Sequence, residues 1–237
     1  MFPHGFTMPG LASLVYLAYL FLYFPWAALR SARRIRAAGT SGGALPSRTR
    51  IWIGSLVAQA LLFLLAWIVG SGWGFKPFAW DSPKAMHVAY AVAALALSFA
   101  MRAARRAVRT DEERRGMFVH AIAPRTSGEV ALSAATVFAA SIAEEVAYRG
   151  AAMSILWYAT GNPWLAAALC AVAFAIAHAV QGRRSMGMIF GVALVMHALV
   201  WLTGSLVPAM IVHALYDFGA GWAIRREAMK GEAAPAS

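Results

Sequence analysis

SIAEEVAYRG, residues 141–150, places Glu144, Glu145 and Arg149 inside an otherwise apolar run. Their meaning depends on the solvent around them, and composition identifies it. The chain is 61% hydrophobic and only 13% charged, about half the charge of a soluble domain. Apolar runs recur at Leu11–Leu29, Ile51–Gly70 and Ala85–Met101, then at Val130–Ala143, Ala151–Thr160, Trp164–Val180, Met186–Leu202 and Leu206–Ile224. Most are long enough to span a bilayer as helices, and nothing alternates as the strands of a lipid-facing barrel do. The expected fold is all-α, a polytopic transmembrane bundle of about eight segments, one or two of them short. The first run has no Lys or Arg before it and no small-residue cleavage site after it, so it reads as an anchor. A single cysteine, Cys170, excludes an internal disulfide and reads as inert packing.

The net charge of +11 comes from arginines crowded between the apolar runs: Arg30, Arg33, Arg34 and Arg36, then Arg102, Arg105, Arg106 and Arg109, then Arg183 and Arg184, then Arg225 and Arg226. This is the pattern of loops held on the cytoplasmic side near anionic lipid. No recognition module for nucleic acid accompanies it. The expected setting is an integral, multi-pass protein of a bacterial-type inner membrane, with the lipid bilayer as its partner. Residues 37–47, AAGTSGGALPS, read as a flexible loop, 109–116 as a solvated charged connection, and 231–237 as a disordered tail. Residues 1–115 hold three plain anchors without acid or arginine inside the apolar spans, whereas 116–237 hold every intramembrane charge.

Of the ten acids, only Glu144, Glu145 and Asp217 lie within apolar runs. Such groups cost several kcal/mol in hydrocarbon unless paired or hydrated, which makes them functional candidates. Glu145 and Arg149 stand four apart and can pair on one helical face. Glu144 is rotated by about 100° and needs a partner of its own. An unpaired carboxylate in such a place suits general acid–base work. His178 closes the pattern Phe174-x-x-x-His178, and His213 stands four before Asp217. His197, alone among apolar neighbours, reads as packing.

Taken together, Glu144-Glu145-x-x-x-Arg149, Phe174-x-x-x-His178 and His213-x-x-x-Asp217 resemble the three-motif signature of the CPBP intramembrane peptidases, the family of CAAX proteases and bacteriocin-processing enzymes. Thr203-Gly204-Ser205-Leu206 before the third motif fits as well. The resemblance covers roughly residues 125–220 and implies an endopeptidase acting on a peptide or membrane-anchored protein. It implies that Glu144 activates a water, that His178 holds the same water, that His213 and the residue at 217 stabilise the oxyanion, and that Glu145 and Arg149 brace the first motif. The family usually has Asn where this chain has Asp217, and an ionised Asp accepts but cannot donate. A metal-free mechanism is favoured. The alternative is zinc held by Glu144, His178, His213 and Asp217, whose donor types suit it, although no HExxH is present. The rival readings are a proton-coupled transporter, for which no inverted repeat is visible, and an inactive scaffold or immunity protein of the same fold.

Two topological expectations conflict. Glu144 and His178 both lie late in their segments, so depth matching asks these segments to run the same way and residues 148–160 to cross back. Holding every arginine cluster on one side asks instead for an even number of crossings between Arg115 and Arg183. Depth matching is given the greater weight, because chemistry tolerates no gap of ~20 Å whereas the charge rule is statistical.

Overall fold

The computed structural model describes residues 10–41, 46–110 and 118–233. The chain begins with α1 (Leu11–Ala18), a π-helical turn (Tyr19–Tyr23) and α2 (Phe24–Ser41), followed by α3 (Arg48–Ser71) and α4 (Ala85–Ala107). After the short α5 (Phe118–Ala121) come α6 (Ser127–Glu144), a π-helical stretch (Glu145–Ala152) and α7 (Met153–Thr160). The chain then forms α8 (Pro163–Ala177), a 3₁₀ turn (Ala179–Gln181), α9 (Arg183–Thr203) and α10 (Val207–Ala233). No strand occurs among the described residues. Six helical spans are long and apolar enough to cross a membrane, and Pro163–Ala177 is a shorter apolar helix. The all-α polytopic bundle is therefore the architecture. The loop expected over 37–47 starts inside α2, which runs to Ser41, and residues 42–45 lie outside the described residues. Most of the charged connection over 109–116 and residues 234–237 of the tail lie outside them too.

The topology corrects one expectation. Val130–Ala143 and Ala151–Thr160 are not two segments, and residues 148–160 do not cross back. Ser127–Thr160 is a single 34-residue span, helical from end to end. The first real turn comes at Gly161, with φ +65°, and Asn162. The Asn162 side chain caps α8 by accepting from the backbone N–H of Trp164 and Leu165 at 3.0 and 3.1 Å, and Pro163 supplies the preset first helical position. Glu144 therefore lies about 24 Å before this turn and His178 about 22 Å after it, at 1.5 Å per residue. Antiparallel neighbours thus reach the same depth. Two helical passes now separate Ser127 from Arg183, so the arginine clusters among the described residues fall at one end of the bundle. Both clues hold, because the assumption that set them against each other was a misplaced turn.

Caps fix where the long helices begin. Thr126 accepts from the backbone N–H of Glu129 at 3.2 Å, and the Glu129 carboxylate accepts in return from the backbone N–H of Thr126 and Arg125 at 3.3 and 2.7 Å. This capping box starts α6. Arg48 at the start of α3 pairs with the same Glu129 at 3.2 Å, which aligns α3 with α6 from their first turns. Gly204, with φ +66°, ends α9, and Ser205 then donates to the Ala79 carbonyl at 2.7 Å and caps Val207. The core centres on the π-helical stretch, where Val146, Ala147, Tyr148, Ala151 and Ala152 are almost wholly buried. Large apolar side chains such as Leu61, Leu64 and Ile68 point outward, as expected where lipid replaces water.

Candidate active site

Glu144 is the last α-helical residue before the π-helical stretch, and Glu145 is the first residue within it. Such wide turns inside α-helices are uncommon and concentrate at functional sites. This one is buried throughout. In a low-dielectric interior its backbone groups need partners, and Tyr16 of α1 donates its hydroxyl to the Ala147 carbonyl at 3.0 Å.

The two glutamates have different neighbours. Glu145 is fully buried, and its Oε1 lies 3.2 Å from Nη1 of Arg149 and 2.8 Å from Nδ1 of His213. The i,i+4 pair expected from sequence is present. Arg149 is also enclosed: Nη2 lies 3.4 Å from the Ala193 carbonyl, and the guanidinium sits over the Phe174 ring, 4.5 Å from its centroid. Glu144 has no such cation. Its Oε1 accepts from Nε2 of Gln59 at 2.8 Å, and its Oε2 lies 3.7 Å from Nε2 of His213. The two carboxylates leave their helix in different directions, as the 100° rotation requires, yet meet opposite edges of one imidazole.

His213 is therefore the centre of the site. Its Nδ1 faces Glu145, and its Nε2 faces both Glu144 and, at 3.5 Å, Oδ2 of Asp217. An ionised Glu145 can only accept, so the ring donates from Nδ1. It donates from Nε2 as well only as the imidazolium. Asp217 is the most open member, with a third of its side chain exposed.

His178 stands at the end of α8, with Nδ1 2.8 Å from the Phe174 carbonyl. That contact fixes the proton on Nδ1 and leaves Nε2 as an acceptor. The spacing of Phe174 and His178 thus has a physical meaning, since one carbonyl sets the tautomer four residues later. The Phe174 ring joins the remaining parts. Its centroid lies 4.5 Å from that of His178, 5.2 Å from Tyr148 and 6.2 Å from His213. His178 makes no hydrogen bond with Glu144, His213 or Asp217 in this arrangement, so of the expected site residues it alone stands apart, reaching the others through Phe174. Of the remaining histidines, His87 accepts from Trp80 at 3.2 Å, His120 faces Glu227 at 3.5 Å, His197 is buried on α9, and His4 lies outside the described residues.

Zinc would need Glu144, His178, His213 and Asp217 to converge on one point. Among the described residues, no group of three or more His, Cys, Asp or Glu side chains is arranged to hold a metal ion. The four residues do not fit that role as they are placed.

An apolar cleft, with a cavity volume of about 180 Å³, leads to this cluster between α3, α6 and α10. Trp52, Val130, Val137, Phe218 and Trp222 line it, together with Asp217 and Arg225. Val130, Val137 and Glu144 recur every seven residues, as do Trp52 and Gln59, so each helix turns one face from the cleft to the cluster. Sequence reasoning missed Gln59. Its only signal is a polar but uncharged side chain within the apolar run Ile51–Gly70.

Residues 126–219 match the family model described as type II CAAX prenyl endopeptidase Rce1-like. The match is consistent with the CPBP family that the motifs resemble, and it contains Glu144, Glu145, Arg149, His178, His213 and Asp217. It supports a membrane endopeptidase acting on a peptide or protein. Comparison with curated proteins and with solved structures gave no match.

Proposed function

We propose that the protein hydrolyses a peptide bond of a membrane-associated polypeptide through a water activated by Glu144. The carrying observation is the contrast between two adjacent buried carboxylates. Glu145 is held by Arg149 and His213, whereas Glu144 meets a neutral amide and the far edge of the same imidazole. Glu144 has no arginine of its own, and the nearest cation, the imidazolium of His213, stands 3.7 Å away, beyond hydrogen-bond distance, so this carboxylate remains free to take a proton. In this reading Glu144 removes a proton from water as its oxygen bonds to the carbonyl carbon. In this reading the ring of His178 turns from Phe174 toward the same water, and its Nε2 accepts a hydrogen bond from the second O–H, which stays with the attacking oxygen. His213, as the imidazolium, donates from Nε2 to the developing oxyanion. Collapse breaks the C–N bond, and the leaving amine takes the proton from Glu144, giving one carboxylic acid and one amine for each water consumed. Glu145 and Arg149 hold His213 and the π-helical stretch in place. No metal takes part in this scheme. The apolar cleft beside Asp217 offers an approach for an extended, apolar chain.

The test compares membrane proteomes of cells carrying the wild-type protein or Glu144→Gln. The expected result is a membrane protein or peptide that accumulates uncut in the variant. Identical cleavage in both cells would sink this mechanism.

A further inference from the structure

We infer that Gln59 is a positioning residue of this active site, fixing the carboxylate of Glu144 from a helix outside the matched region. The inference rests on the peptidase reading and extends it to α3. Gln59 is 9% exposed in the middle of an apolar helix, and its Nε2 donates to Glu144 Oε1 at 2.8 Å. A buried amide is unfavourable unless its hydrogen bonds are made. The assignment of its two ends is chemically determined, because the reverse orientation would set an amide oxygen against a carboxylate oxygen.

The contact assigns each oxygen of Glu144. Oε1 is held by Gln59, while Oε2 faces His213 at 3.7 Å. Rotation of the carboxylate about its last bond is therefore restricted, and the oxygen nearer the imidazole keeps its direction. An amide can orient a base without competing for its role, since it neither donates a full charge nor takes up a proton. Arg or Lys in its place would clamp Glu144 as Arg149 clamps Glu145. Gln59 Oε1 is buried and has no hydrogen-bond partner among the described residues. Beside the catalytic carboxylate it is a spare acceptor suited to a water or a substrate N–H. The same face of α3 carries Trp52 into the cleft seven residues earlier. Thus α3 supplies a wall of the approach and a hold on the base.

The test uses purified full-length protein incubated with solubilised membranes from cells expressing Glu144→Gln, in which uncut substrate accumulates. New peptide termini are counted by mass spectrometry across a range of pH. Gln59→Leu removes the donor at similar volume and should slow their appearance on the order of 10- to 100-fold, the value of a hydrogen bond to a charged group. Gln59→Glu is isosteric and can donate to Glu144 only while protonated, so its rate should rise as pH falls, unlike that of the wild type. A purely structural Gln59 would leave the shape of the pH profile unchanged. Wild-type rates in Gln59→Leu overturn the inference. If Gln59→Leu fails to fold, a Gln59→Glu profile parallel to the wild type overturns it instead. Should the wild-type protein release no termini beyond those released by Glu144→Gln, the peptidase reading itself falls, and this inference with it.

Discussion

The matched region and the helices before it place polar groups in the bilayer by opposite means. Residues 126–219 use charge: Glu144, Glu145, Arg149, His213 and Asp217 meet within one cluster. Away from its arginine-bearing helix ends, the first half uses neutral groups, one at a time: the Tyr16 hydroxyl on the Ala147 carbonyl, the Gln59 amide on Glu144, the Trp52 indole on the Ile122 carbonyl at 3.2 Å. Charges in hydrocarbon are costly and must be neutralised together, so they cluster and stand out in a sequence. A neutral amide or phenol needs only one partner, and any helix can supply it. The first half therefore looks like plain anchoring, although it supports the reacting part at several points.

The largest effect should come from the one carboxylate that the comparison leaves for chemistry. Glu144→Gln keeps the volume and the contact with Gln59 but removes the base. Turnover should fall by about 10²–10⁴-fold, the usual contribution of a positioned acid or base, while the melting temperature in detergent stays near that of the wild type. Full turnover would break the distinction between the two glutamates.

Next comes the brace. Glu145→Ala leaves Arg149 buried against Phe174 and Ala193, and Arg149→Ala leaves Glu145 with only His213. Removing one partner of a buried pair costs about 3–5 kcal/mol. Both variants should melt early as well as lose activity. Loss of activity at an unchanged melting temperature would place that residue among the reacting groups.

A smaller effect tests the seam between the halves without touching any polar group. Gly150 lies in the π-helical stretch, and a Cβ there would collide with the Phe75 ring that follows α3. Gly150→Ala should destabilise by about 1–3 kcal/mol, as overpacking does. Phe75→Leu in the same protein should restore most of the loss. A Gly150→Ala protein with the wild-type melting temperature would show that the seam is loosely packed.

The legibility of this chain follows the same division. The all-α membrane fold could be read because apolar runs of bilayer length have few other uses. The acidic and basic site residues could be read because their cost demands a reason. What failed was a turn. Residues 148–160 read as a separate segment crossing back, since Glu145, Arg149 and Gly150 interrupt the apolar run and depth matching asks for one more crossing. In the fold these are buried residues of a continuous helix. A π-helical stretch has no signature in composition, and hydropathy averages cannot distinguish a charged interruption that is buried from one that is a loop. Gln59 escaped for the reason already given: its polarity is modest, and its partner lies 85 positions away.

The smallest effect should come from Asp217, where the chain departs from the pattern that the other motifs follow. Its Oδ2 lies 3.5 Å from Nε2 of His213, and a third of its side chain is open toward the cleft. It therefore contributes a hydrogen-bonding group at the edge of the cluster and carries less of the burial cost than Glu145. Asp217→Asn has nearly the same volume and adds an N–H donor where an oxyanion would form, while losing an acceptor for His213. The gain and the loss act at the same place, so the rate should change by less than about tenfold, or ~1.4 kcal/mol of barrier. Metal binding by Asp217 would produce the opposite result, since an amide is a far poorer zinc ligand than a carboxylate. Activity and bound metal would then fall together, and added zinc would restore part of both. Measuring the metal content of the purified wild type beside turnover of Asp217→Asn separates the two. Retained turnover without stoichiometric zinc would place Asp217 with the neutral supports of the first half, as a group that orients the site without carrying its chemistry.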